Sequence, residues 1–372
     1  MVHVPVKGGD GAIESAHRWL AETRRGDLSV RELELDQIAG QLGRAVDRVM
    51  SEGSLYDPRL AALALKQAQG DISEAAFLLR AYRTTLPRFF YSCPIDTEKM
   101  RLYRRVSGVF KDVPGGQYLG PTYDYTHRLL DFGLESADTE PVPADETDEE
   151  IPLAPRVNAF LSAEGLVEES PVPQGEAKDL TREAADFASH RDQRLQGLAR
   201  GDEGFLIAMA YASKHDATGA HPFVAETRAG EVPVSVEVPE LAFSIDIGEI
   251  IVTECQMVNK FKGSKRTPPQ FTMGYGLVFG QNDRKSMAMA LVDRATRARE
   301  LGEDENTPAQ NIEFVMELCD NVQTSGYLEH LKLPHYVDFQ GDLEAIRRMR
   351  REASDSAEEP LQAEESAPEA AA

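Results

Sequence analysis

The sequence predicts an α+β protein, with an N-terminal helical domain followed by a mixed α/β domain built on a largely antiparallel sheet. Three observations lead there. Residues 13–87 carry apolar side chains at the three- and four-residue spacing of amphipathic helices. Residues 231–280 switch to period two, the alternation of a half-buried strand. The last of these period-two segments, Phe271 to Phe279, is glycine-rich and runs directly into a helix start at Asp283.

The helices come first. Ile13, Ala16, His17 and Leu20 form a stripe that stops at Gly26, with His17 on its flank. Ser29-Val30-Arg31-Glu32 has the pattern of a capping box, in which each end side chain satisfies a backbone donor of the first turn. Leu35, Ile38, Leu42, Ala45, Val46 and Val49 then recur at helical spacing as far as Gly53. Asp57-Pro58 predicts an N-cap with proline at the first helical position, and Gly70 closes that helix. Asp71 to Glu74 opens another, which Pro87 stops. Arg80 and Arg83 sit among its apolar residues, where ion pairs with packed neighbours are their plain role.

The later elements follow in order. Cys93-Pro94 reads as a turn, and residues 155–200 carry no clean period. Arg200 to Gly204 predicts a tight turn, whose Arg-Gly-Asp is turn chemistry, before a short apolar helix from Phe205 to Ser213. Val232, Val234, Val236 and Val238 alternate, as do Phe243, Ile245 and Ile247. Ile250 to Val258 suits a strand or a short helix. Gly274 and Gly276 inside a strand pattern imply a bulge or the close approach of another backbone. Asp283 caps a helix striped with Met287, Ala290, Leu291 and Ala295. The expected domains are a helical unit over 1–90, a connector over 91–134, an acidic loop over 135–154, a mixed α/β unit over 155–350 and a disordered acidic tail over 351–372.

The net charge of -23 argues against nonspecific nucleic-acid binding. Eight acids fall between Glu135 and Ala154 and seven after Arg351, with no Lys or Arg in either stretch, which leaves -8 for the rest. A local cationic pocket is therefore compatible with the composition. The three cysteines, Cys93, Cys255 and Cys319, are far apart, so free thiols in a reducing cytoplasm are expected. No apolar run is long enough for a membrane span, and the first residues lack the apolar core of a signal peptide.

The densest chemistry lies between Lys111 and Asp131. Pro114-Gly115-Gly116 is a turn whose backbone can approach a ligand, and Arg101, Arg104, Arg105 and Lys111 form a cationic run before it. Backbone N–H groups beside cations suit a triphosphate, although neither GxxxxGK[ST] nor GxGxxG is present. Tyr123, Asp124, His127, Arg128 and Asp131 have the spacing of one face of a short helix. A structural turn followed by an amphipathic helix with a solvated polar face would look the same. Further on, His330 and His335 flank Pro334, so they cannot share an uninterrupted helix but can converge from the two sides of a turn. Two imidazoles are an incomplete zinc site; Glu329, Asp338 or a partner chain would have to complete it.

Six segments carry a family resemblance: VKGG at 6–9, LALKQA at 63–68, FLLRAYRTTL at 77–86, PGGQYLGPTYDYTHRLLDF at 114–132, GYGLVFG at 274–280 and HLKLPHYVDFQ at 330–340. Together they resemble the PhnI family, core subunits of the bacterial carbon–phosphorus lyase complex. The acidic loop, residues 165–200 and the tail match poorly. The resemblance implies phosphonate catabolism. It implies a transferase that acts with G-, H- and L-type subunits to displace the purine of ATP by an alkylphosphonate, giving ribose 1-phosphonate 5-triphosphate and adenine. It further implies nucleosidase activity on ATP or GTP by the subunit alone, a two-fold core with a J-type subunit, and self-association near its centre. His330 and His335 match the family's zinc-binding pair at the contact with the J-type subunit.

Residue chemistry adds roles that the resemblance does not fix. Displacement at C1′ passes through an oxocarbenium-like centre, which a carboxylate stabilises, a proton donor assists and a phosphate clamp positions. Asp124 is assigned as the carboxylate and His127 as the acid or a ribose or phosphonate contact. Lys111, Gly115, Gly116 and Arg128 are assigned to the triphosphate, accompanied by Mg²⁺. Tyr123 and Tyr125 either stack on the base or pack. The rival reading is a non-catalytic scaffold that supplies zinc ligands at a subunit interface; a free-standing metallohydrolase is disfavoured by the incomplete ligand set.

Overall fold

The computed structural model describes residues 9–135, 155–169, 178–183, 190–214, 221–241, 243–264 and 267–358. Most of the acidic loop and residues 359–372 of the tail lie outside that range. The chain divides into two compact units, Met1–Gly26 with Ser325–Ala372, and Asp27–Thr324.

In the first unit, α1 (Gly9–Arg25) has no buried residue. The apolar stripe is instead uncovered, with Ile13 37% and Leu20 55% exposed.

The larger unit opens with α2 (Leu35–Gln41), α3 (Gly43–Gly53), α4 (Pro58–Gln67) and α5 (Ile72–Arg83). The capping box is real but displaced: Glu34, not Ser29, caps α2, reciprocated by Gln37. Ser29 is held instead by the Asp27 side chain (2.8 Å), a local turn that competes with helix. The single run predicted from Leu35 to Gly53 breaks at Leu42, the last residue before α3. Asp57 and Asp71 cap α4 and α5 as expected, each accepting from the N–H three residues on. Ile38, Val46, Val49, Ala61, Leu65 and Leu79 close this helical core. Arg80 grips Asp320 through two contacts of 2.7 and 2.8 Å and also donates to the Glu52 carbonyl.

The sheet is four-stranded and antiparallel, in the order β1 (Arg101–Val106), β2 (Phe223–Val238), β3 (Phe243–Phe261) and β4 (Gln270–Phe279). The alternating segment from Phe243 to Ile247 and the run from Ile250 to Val258 are one long strand, β3, so the latter is not helical. Cys93 lies extended at the β2 edge, donating its N–H to the Ser235 carbonyl (2.8 Å), so no turn forms there. Between β1 and β2 come α6 (Val157–Ala163), α7 (Arg191–Ala199) and α8 (Glu203–Ser213), the last capped by Asp202 (2.6 Å). After β4 comes α9 (Asp283–Ala295), whose N-cap is Asn282 rather than Asp283. Gly274 and Gly276 make its seat: a Cβ at either would lie 2.0 Å from a carbonyl oxygen of α9, that of Ala290 or Ser286. Leu198, Leu206, Val278, Met289, Val292 and Val315 fill the core on this side.

Helices α10 (Ala298–Leu301) and α11 (Ile312–Leu318) lead to α12 (Asn321–Leu331), at whose fourth residue the larger unit ends. Helix α13 (Tyr336–Glu358) continues eight residues into the stretch expected to be disordered tail. Cys255 and Cys319 are buried and burial pushes both thiols up to about 12, which leaves them inert; Cys93 is half-buried.

Candidate active site

Strand β1 sets out two arginines in succession, and the pleat sends them to opposite faces. Arg105 goes to a buried face. It pairs with Glu226 (2.5 Å) and donates to the Pro114 (2.7 Å) and Gly116 (3.3 Å) carbonyls. The glycine turn therefore presents carbonyls to a guanidinium, and the Gly116 N–H is spent on Val113 (2.8 Å). Arg104 goes the other way and bridges two carboxylates, Asp124 and Asp283 (2.9 Å to the latter).

The segment carrying Asp124 is not helical. Thr126 closes a single turn on Tyr123 (3.1 Å), the Asp124 N–H donates to the Thr122 hydroxyl (3.1 Å), and Arg128 takes a left-handed φ of 56°. Arg128 then folds back, donating to the Tyr123 carbonyl (3.0 Å) with its guanidinium 5.8 Å from the Tyr123 ring. These side-chain-to-backbone bonds outcompete the helix that the spacing predicts.

The result is a cavity of about 560 Å³ between this segment and the start of α9. Arg44, Arg104, Arg128 and Arg284 line it, with Asp124, Asp283 and Glu203. Asp124 is half exposed. Its limited burial would raise its pKa, but hydrogen bonds from Thr122 and Arg104, with the charges of Arg104 and Arg128, hold it below the usual carboxylate range. Asp283 is raised by burial, against the opposing pull of Arg104 and Arg44. Asn282 caps α9 by accepting from Lys285 N–H (3.0 Å) while its amide donates to Glu203 (2.7 Å). The positive end of α9 thus closes one side of the cavity.

A second cavity, about 660 Å³, adjoins the first and shares Arg44, Thr122, Tyr123 and Gln281 with it. Arg44 ties the two walls together by donating to the carbonyls of Gln281 and Pro121.

Of the residues singled out in the sequence, Asp124, Arg128, Arg104 and Tyr123 meet in the first cavity. His127 is exposed, and Lys111, Gly115 and Gly116 are exposed; none of the four lines either cavity. Arg44, Arg284 and Asp47 were not singled out, and Asp283 only as a helix cap. The one available signal was the Asn282-Asp283-Arg284 helix start, where two of them lie next to a cap.

In the other unit, His330 and His335 do converge across the turn between α12 and α13. Their Nε2 atoms lie 3.0 Å apart, and His335 Nδ1 donates to the Leu333 carbonyl (2.6 Å). That bond fixes the His335 tautomer with Nε2 free to accept. Among the described residues no group of three or more His, Cys, Asp or Glu is placed to hold a metal.

The model of one protein family, described as the bacterial phosphonate metabolism protein PhnI, matches residues 2–353. This chain is a member of the PhnI family. The alpha-D-ribose 1-methylphosphonate 5-triphosphate synthase subunit PhnI of Rhizobium meliloti is 59% identical over 353 residues, covering 94% of this chain and 95% of that protein. The subunit of the same name from Escherichia coli is 51% identical over 351 residues, 94% of this chain and 99% of that protein. PhnI membership places the chain in bacterial phosphonate metabolism. Among the described residues, no helix is long and apolar enough to cross a membrane.

Proposed function

We propose that this chain is the subunit of a cytoplasmic ribose 1-methylphosphonate 5-triphosphate synthase in which the purine of ATP is displaced by an alkylphosphonate. The observation that carries the site is the cavity in which Asp124 faces Arg44, Arg128 and Arg284 at the start of α9. Three arginines with a helix N-terminus suit a triphosphate and its Mg²⁺. Asp124, ionised at neutral pH, suits the positive charge that develops at C1′. The triphosphate is assigned here to Arg44, Arg128 and Arg284 rather than to Lys111, Gly115 and Gly116. His127 is left as a contact of substrate outside the cavity. Water replaces the phosphonate when the chain acts alone, which makes it a nucleosidase.

The converging Nε2 atoms of His330 and His335 fit two ligands of a zinc ion whose remaining ligands come from a partner subunit. G-, H-, J- and L-type subunits and a second copy of the chain are the proposed partners. The test is chromatographic: the purified chain is incubated with ATP or GTP and free base is measured. Release that is lost in Asp124→Asn supports catalysis here; unchanged release moves the site elsewhere.

A second reading, a scaffold without chemistry, is favoured by one observation. The unit that holds the histidine pair exposes Trp19 (72%), Tyr327, Tyr336 and Val337, apolar side chains of the kind partner subunits cover. Tight co-purification with no base release would support it.

A further inference from the structure

The second cavity contains a carboxyl group that the proposed reaction has not used. Asp47 lies on α3, one turn after Arg44, and is the only acid among the described residues that line that space. Its Oδ2 accepts from the Gln281 N–H at 3.0 Å. Gly280, at φ 73°, is what lets it sit there: a Cβ at that position would be 2.1 Å from the Asp47 Cγ. The rest of the wall is largely apolar or aromatic, with Val46, Met50, Tyr56 and Ile251, closed on the other side by Tyr123. Tyr56 is fixed, because its hydroxyl accepts from the Ile251 N–H (2.9 Å) and its ring packs edge-on against Phe279.

Such a space suits a flat heteroaromatic ring with nitrogens at its rim. It shares Thr122 and Tyr123, the neighbours of Asp124, with the cationic cavity. A nucleotide whose phosphates lie among the arginines and whose sugar meets Asp124 would put its base across this boundary.

We propose that the second cavity takes the purine and that Asp47 is the catalytic acid that protonates it as it leaves. This rests on the reading of the first cavity as the triphosphate and ribose site. In the step, the Asp47 proton moves to a ring nitrogen of the purine while C1′–N9 breaks and its electron pair goes to the base. The incoming oxygen, from phosphonate or water, forms the new bond to C1′. Water gives its extra proton to solvent, and solvent reprotonates Asp47. Burial supports the role by raising the Asp47 carboxyl above the usual range, against the Gln281 N–H and the Arg44 charge.

The test uses the full chain, alone and assembled with its partner subunits, and two nucleotides. GTP needs its base protonated to leave; 7-methylguanosine triphosphate carries a base that is already cationic and leaves without a proton. Asp47→Asn is expected to lower kcat for base release from GTP by roughly 10²- to 10³-fold. With the methylated nucleotide it should release base within about threefold of the unsubstituted chain, an estimate for a step in which the acid takes no part. Equal activity of Asp47→Asn and the parent on GTP would overturn the assignment. So would equal losses on both nucleotides with binding intact, which would make Asp47 structural. If Asp47→Asn does not fold, Asp47→Ala carries the same comparison. No base release by the parent from either nucleotide, alone or assembled, would sink the reading of the first cavity, and this proposal with it.

Discussion

The Nε2 atoms of His330 and His335 face one another across 3.0 Å, and the Leu333 carbonyl holds the His335 ring by its other nitrogen. Two imidazoles so aimed are prepared to share a cation. His330→Ala or His335→Ala should reduce zinc in the assembled complex by about tenfold or more, measured by elemental mass spectrometry. Full zinc occupancy in either variant would remove the pair from the ligand set.

Asp124 is held ionised by its arginine neighbours, and the direction of that effect sets a pH dependence. Its carboxylate form persists below the ordinary Asp range, so activity should fall only as pH drops through that depressed value. Arg104→Gln removes a hydrogen bond and a charge from Asp124 and should move the acidic limb of kcat to higher pH. Asp124→Asn should cost roughly 10²- to 10³-fold in kcat, with the far-UV spectrum unchanged because the side chain is half exposed.

Lys285 is fully buried in α9 and donates to the Ser51 hydroxyl (3.0 Å), and burial brings it down to about 8 despite Glu52 and Glu203. The sign follows from linkage. Between about 8 and its ordinary value of 10.5, the unfolded chain holds a proton that the folded chain has lost. The cost of burying the charge is present below pH 8 and is relieved as pH rises through that window. Urea titrations of the parent and of Lys285→Met should diverge there, the parent gaining on the order of 1 kcal/mol per pH unit relative to the variant. Parallel curves between pH 8 and 10 would contradict this.

Gly274→Ala and Gly276→Ala should each destabilise the chain by about 3 kcal/mol, because the added carbon meets helix backbone that no rotamer can move. Urea midpoints would report it. Gly326→Ala, where a Cβ meets nothing, should change little.

The apolar periods and caps carried much of the fold. Asp57, Asp71 and the alternating valines of β2 are local signals, and each element formed where its signal lay. Strand β1 was invisible because its Arg104 and Arg105 are both buried, and a period-two reading takes charge to mean solvent. Each is buried only by virtue of long-range partners: Asp283 for one and Glu226 for the other. The helix at 123–131 failed for the opposite reason. Its spacing was right, but Thr122 and Arg128 bond to nearby backbone and side-chain groups that end the helix before it starts. In the site, Asp124 and Arg128 were legible as a cluster in sequence. Asp47 was not, since one acid on α3 looks like Asp36 on α2 until Gly280 and Gln281 arrive from the other end of the unit.

Helix α9 rests on β4 with no side-chain layer at Gly274 and Gly276. Such a joint leaves no slack for sliding or rolling, so Asn282, Asp283 and Arg284 stand at a fixed height above the sheet. Accommodation to ligands of different bulk then falls to the opposite wall, residues 121–128, which is fastened by guanidinium and hydroxyl contacts rather than by buried hydrocarbon.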